Sequence, residues 1–399
     1  MSSTLYLTRP GPQTTPDQRA EERAGRPSKQ RDPFFDNAKM LLVTLVVVGH
    51  SWTLLPDNLA RHWFYDFLYL WHVPAFVIVT GYLSRSFTWS PRHLSRLVTT
   101  VAVPYVVFEA ALAAFRVTVG GEELDMLFAD PHWPMWYLAV LFLWRLATPL
   151  LGSPRGLAVA VAVSLLGGLI TGEYLDAQRA MGLLPFFVLG LLARPEHVEV
   201  LRRPAVRAGA AALLVTAFLL APLIDGRLAT EWLYWRSSYA ELDAGMTHGI
   251  AVRAALLAVG GLLALSFLAW VPRRGGWFAR LGAATLVVYL FHGFFVKSAE
   301  YAGVAGWAAD RPWLALVVTT AASVVLTLAL AAPPVARRLN VVVDPVGAHR
   351  RRQKGLTARP RSVRKSDVGI ASVPVIEIAN AIRRSSLAHS ADTSPRSMA

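Results

Sequence analysis

From about residue 31 to residue 335 the chain alternates long apolar runs with short breaks rich in proline, glycine and arginine. Read at the ~19-residue length that a helix needs to cross a hydrocarbon layer, it resolves into ten apolar segments, near 35–55, 64–83, 94–117, 133–151, 156–171, 180–193, 206–224, 249–271, 278–299 and 313–332. The pattern predicts an all-α integral membrane protein, a bundle of about ten transmembrane helices. Residues 1–30, rich in Pro, Gly, Thr, Gln and charge, read as a disordered polar tail with no cleavable leader. Residues 336–399 read as a basic, largely disordered tail.

Composition narrows the class. The chain is 54% hydrophobic and 17% charged, against about a quarter charged for an ordinary soluble domain, which excludes a large soluble enzyme. Cysteine is absent, so disulfides, thiolate catalysis and cysteine-ligated metals are excluded, and no metal site is expected. The net charge of +14 is no sign of nucleic acid, because from Arg337 onward thirteen Lys and Arg face only four acids. That tail suits an anionic inner leaflet.

Arginines fix the expected orientation. With the N-terminus inside, the inner connections carry Arg85, Arg92, Arg96, Arg155, Arg194, Arg202, Arg203, Arg207, Arg273, Arg274 and Arg280, while the outer ones carry Arg61, Arg179, Arg227, Arg236 and Arg311 beside several acids. Both termini are therefore expected in the cytoplasm, in a multi-pass protein of the plasma membrane.

Ionisable residues inside apolar segments are costly, and each marks a candidate site. Lys39 and His50 lie eleven residues apart in one segment, an offset of 1100°, about 20° from whole turns, so both share a helix face roughly 16 Å apart along the axis. Asp36 sits three residues before Lys39, in reach of an i, i+3 pair. His72, Glu109 and His292 fall at similar mid-depth in other segments, and each suits either an interhelical hydrogen bond or a catalytic role. Pro74, close to His72, predicts a bend. Arg92 and Arg96, one turn apart, with Arg145 deeper, suit the phosphates of an anionic substrate or simply mark topology. Trp232, Tyr234, Trp235 and Tyr239 in the longest outer connection read as an interfacial aromatic belt or as sugar-stacking residues.

Several local strings then resemble the membrane-bound acyltransferase family 3. They are Arg31 to Lys39 followed by ten residues and His50; Phe67 to Phe76 through Thr80-Gly81-Tyr82; Arg92 and Arg96 leading into Val103-Pro104-Tyr105; Trp136-Tyr137-Leu138; Pro185-Phe186-Phe187 with Gly190; and Tyr289 with His292. Lys39 stands where many members have Arg. The wording is similar to the fucose 4-O-acetylase-like branch. The resemblance implies an O-acyltransferase that moves an acyl group, typically acetyl, from cytoplasmic acyl-CoA to a hydroxyl of a sugar or other envelope or secreted acceptor. Under it His50 serves as base, and Asp36 orients Lys39. His72, Glu109 or His292 orients His50 or holds the acceptor. Lys39, Arg92, Arg96 and Arg145 receive acyl-CoA. The tail after Arg337 is short, basic and polar, so the extra hydrolase domain that some members carry is not expected here. Direct transfer and an acyl-histidine both remain open. The rival class is a proton-coupled transporter or exporter, which mid-depth His and Glu also suit.

Overall fold

A computed structural model describes residues 32–124, 126–171, 174–224, 227–345 and 347, and its regular elements are all helical. Helices occupy all ten apolar segments. Among the described residues five helices are long and apolar enough to cross a membrane: Leu59–Ser84, Pro91–Gly120, Pro204–Leu223, Met246–Trp270 and Pro312–Ala331. A sixth candidate is the pair Tyr174–Gly182 and Leu184–Leu192, bent by 55° at its break. Trp136–Leu151 and Pro154–Gly167 are apolar but shorter. Most of the tails lies outside the described residues. The helix Pro333–Val343, however, carries regular structure beyond residue 335.

Helix starts follow capping chemistry. Asp32 accepts the Phe34 N–H at 2.9 Å ahead of Pro33, and Ser90 and Ser153 receive the N–H groups of His93 and Gly156 ahead of Pro91 and Pro154. A proline at the first position gives up an N–H that would be unpaired there anyway. The bend expected near Pro74 is a break between Leu59–Tyr69 and His72–Ser84. Pro74 sits in the first turn of the second piece, where its missing N–H costs nothing. The turn Val98–Ala102 is widened to π geometry just before Pro104, a residue that cannot donate to the Thr100 carbonyl.

Two features set the packing around the site. The helices His72–Ser84 and Leu184–Leu192 cross backbone to backbone at Gly81 and Gly190. A Cβ on Gly81 would lie 2.0 Å from the Phe187 carbonyl oxygen, and one on Gly190 2.1 Å from that of Ile78. Small residues let helices approach this closely in a layer where water does not drive association. The first helix, Pro33–Trp52, packs against Pro312–Ala331, His72–Ser84 and Thr285–Tyr301. It buries Asn37, whose amide donates to the Pro272 and Arg274 carbonyls at 2.8 and 3.1 Å. By contrast Pro204–Ile224 leaves Val215, Leu219 and Leu223 exposed, a surface suited to lipid rather than to water.

Candidate active site

The first helix carries ionisable groups at both ends, and each end opens on a different cavity. Near its start Lys39 Nζ pairs with Asp36 Oδ1 at 2.8 Å, the i, i+3 geometry that the spacing predicts. Lys39 lines a cavity of about 280 Å³ together with Thr80, Thr100, Tyr137, Arg145 and Tyr289. Arg145 is placed by a hydrogen bond from Nε to Ser84 Oγ at 3.2 Å. Thr80 donates to the Phe76 carbonyl, so its oxygen is left to accept the Tyr137 hydroxyl at 2.5 Å. Arg92 and Arg96 do not line this cavity; both are exposed. The Arg96 carbonyl takes the Thr100 hydroxyl at 2.8 Å, which puts Arg96 one turn from the cavity wall.

At the other end His50 lines a cavity of about 620 Å³. Its partner is His292, 242 positions away in sequence: His50 Nδ1 and His292 Nε2 are 2.8 Å apart. Proton positions follow from the next bond. His292 Nδ1 lies 2.6 Å from the Tyr289 carbonyl oxygen, which only accepts, so Nδ1 carries the hydrogen. Neutral His292 then offers a lone pair at Nε2, His50 must donate from Nδ1, and His50 Nε2 is left as the basic nitrogen. Trp133 packs on the His50 ring with centroids 4.4 Å apart. Tyr289 donates its hydroxyl to the Pro134 carbonyl. Among the described residues none lines both cavities; Tyr137 and Tyr289 stand on one side, and Trp133 and Trp136 on the other.

The two remaining expected catalytic residues go elsewhere. His72 Nδ1 bonds the Leu68 carbonyl at 2.8 Å and its ring meets Tyr69 edge-on, so it closes the break between the two helix pieces. It lines neither cavity. Glu109 is fully buried, and its Oε1 receives both the backbone N–H of His132, at 2.9 Å, and His132 Nδ1, at 2.5 Å.

Sequence reasoning missed three contributors to the larger cavity. His132 and Arg179 fell in outer connections by hydropathy, and Trp133 at the edge of a segment. The string Pro131-His132-Trp133-Pro134 was the available signal for the first and last, because two prolines stiffen a short aromatic loop. Nothing local marks Arg179, which pairs with Asp176 at 3.0 Å, donates to the Tyr234 carbonyl at 3.1 Å and lies over the Trp136 ring at 4.9 Å. The outer aromatic cluster is no exposed belt: Trp232, Trp235 and Tyr239 are buried, and Tyr234 and Trp235 face the His50 cavity.

Comparison with known proteins completes the picture. The acyltransferase domain of the acyltransferase 3 family matches residues 32–332. Nodulation protein NolL of Sinorhizobium fredii is 29% identical over 184 residues, which is 41% of this chain and 49% of that protein. The match thus spans about half the length of that relative. No solved structure matches.

Proposed function

We propose a reaction for this chain from the premise that it belongs to the acyltransferase 3 family and is an acyltransferase: it moves an acetyl group from acyl-CoA to a hydroxyl acceptor across a ten-span membrane bundle with both termini cytoplasmic. The observation that carries the reading is the bond series Tyr289 carbonyl, His292, His50, which leaves a basic Nε2 at a cavity. Acyl transfer to a hydroxyl needs such a base and a group that stabilises the negative oxygen forming on the thioester.

The donor belongs to the smaller cavity. Lys39 and Arg145 are the cations there for the diphosphate that joins pantetheine to the nucleotide, and exposed Arg92 and Arg96 are an outer pair for the remaining phosphate. The acceptor belongs to the larger cavity, where Trp133, Trp136 and Trp235 join paired charges in the lining, a mix of aromatic and polar groups suited to a sugar. In the transfer itself, the thioester end of the donor has to extend past the wall of Tyr137 and Tyr289 to reach His50; there the acceptor hydroxyl gives its proton to His50 Nε2 and its oxygen bonds the acyl carbon. The carbon–sulfur bond breaks, and the proton passes from His50 to the departing sulfur. The reading leaves the Asp36 carboxylate a supporting part, fixing Lys39 toward the donor.

Three experiments test this. Titration of the purified protein with acetyl-CoA should give saturable binding that weakens in Lys39→Ala, and mass spectrometry of envelope and secreted fractions should find an O-acetyl group that vanishes with the gene. Orientation is read by single cysteines in this cysteine-free chain. At exposed Ala240 an impermeant thiol reagent should label intact cells, and at exposed Arg155 only permeabilised ones. The reverse pattern would place Lys39 and Arg145 away from cytoplasmic acyl-CoA and defeat the mechanism.

A further inference from the structure

The larger cavity holds a second imidazole prepared in the same sense as His50. Glu109 is on Pro91–Gly120 and His132 on the loop that runs into Trp136–Leu151. The backbone N–H of His132 already anchors this loop to Glu109 Oε1. A second bond runs from Nδ1 to the same oxygen. What it adds is a tautomer: a carboxylate accepts, so Nδ1 carries the hydrogen, and Nε2 of His132 is a lone pair in a residue that lines the cavity. A carboxyl oxygen that takes the Nδ1 hydrogen holds the ring in this tautomer and orientation. His50 is backed differently, by a neutral imidazole. The cavity is therefore lined by two imidazoles whose Nε2 atoms both require a donor from whatever occupies it.

We propose that the Glu109–His132 pair positions the acceptor: His132 Nε2 receives a hydrogen bond from one hydroxyl while His50 Nε2 acts on another, so that the acceptor is a molecule with at least two hydroxyls. His132 and Glu109 are positioning residues in this assignment, and neither exchanges a proton in the transfer. The assignment rests on the acyltransfer reading above, and it separates the two histidines by what each must do. His50 has to take a proton. His132 has only to offer an acceptor atom.

The test uses acetyl-CoA as the donor probe and the O-acetyl content of producing cells as the product readout. His132→Ala should bind acetyl-CoA as the wild type does and lower O-acetylation at least tenfold. His132→Gln, whose side-chain amide reaches the Nε2 position and offers an oxygen acceptor there but cannot be a base, should restore a substantial part of it, whereas His50→Gln should restore nothing. Glu109→Gln brings an amide that can donate to Nδ1 and so favour the opposite tautomer, and should lower acetylation several-fold. Wild-type acetylation in His132→Ala, equal loss in His132→Ala and His132→Gln, or a parallel loss of acetyl-CoA binding would each overturn the assignment. If His132→Ala does not reach the membrane, the comparison of His132→Gln with His50→Gln decides alone. A wild-type protein that fails to bind acetyl-CoA would defeat the donor reading instead, while the acetylation readout still judges His132.

Discussion

The two ends of the first helix differ in where their partners come from. Lys39 is held by Asp36, three residues away on the same helix, and the cavity it lines is the smaller one, about 280 Å³. His50 is held by His292 from the far end of the sequence, and its cavity, about 620 Å³, is walled by loops as well as helices. A local pair forms whenever the helix forms, so the cation end is prepared by secondary structure alone. The histidine end exists only after the bundle closes. Chemistry that depends on one tautomer is thus assigned to the part of the site that only a correctly packed protein possesses.

The sharpest way to break this comparison is at His50. His50→Ala should lower acyl transfer by about a hundred- to ten-thousand-fold, the usual cost of a lost general base, with acetyl-CoA affinity unchanged; a purified variant turning over near wild-type rates sinks the assignment. His292→Ala tests the long-range partner. It frees His50 to adopt the wrong tautomer, and the rate should fall about ten- to a hundredfold, the range seen when an orienting partner is removed. Equal rates in His292→Ala and wild type would make the pair a packing contact only.

At the cation end the expected effects are on affinity. Lys39→Ala and Arg145→Ala should each remove a charge-assisted contact of about 1.5 to 3 kcal/mol, seen as weaker acetyl-CoA binding with little change in saturated rate. Arg92→Ala and Arg96→Ala, being exposed, should cost at most about 1 kcal/mol each, a difference readable in the same titration at low salt. Should these two outweigh Lys39, the donor lies on the surface and not in the cavity.

The smallest effect concerns the rim of the larger cavity. Glu122, beyond the end of Val103–Gly120, takes the guanidinium of Arg116, Lys297 Nζ at 3.0 Å and the Tyr301 hydroxyl at 2.5 Å. Partial desolvation pushes its carboxyl up, but the hydrogen bonds from Arg116, Tyr301 and Lys297 outweigh that and hold it at about 2. A depressed carboxyl stabilises the fold above its unfolded value near 4.5, and that contribution is lost as pH falls toward 2. Glu122→Gln should lower thermal stability by about 1 kcal/mol at neutral pH and by less near pH 3. A loss that grows on acidification would contradict the assignment.

Much of the site was legible in part. The Lys39–Asp36 pair followed from spacing because i and i+3 residues meet on any helix. Selecting His292 from three candidate partners for His50 was beyond the sequence, since His72 and Glu109 sit at comparable depth and only packing sends one to the Leu68 carbonyl and the other to His132. Arg179 and the aromatic cluster were read as outer-surface residues because hydropathy locates segments along the chain, not the loops that fold back over them.

By itself the sequence determined the helical character, the positions of the apolar segments, the break at Pro74 and the charge pair at the start of the first helix. These depend on periodicity, capping and transfer free energy, all properties of residues near one another in the chain. The tertiary structure alone decided which nitrogen of His50 is basic, which residues wall its cavity, and that His132 joins it there. Hydrogen bonds between residues 23 and 242 positions apart are set by how the bundle closes, and closure depends on contacts such as the Gly81–Gly190 crossing, which no local pattern encodes.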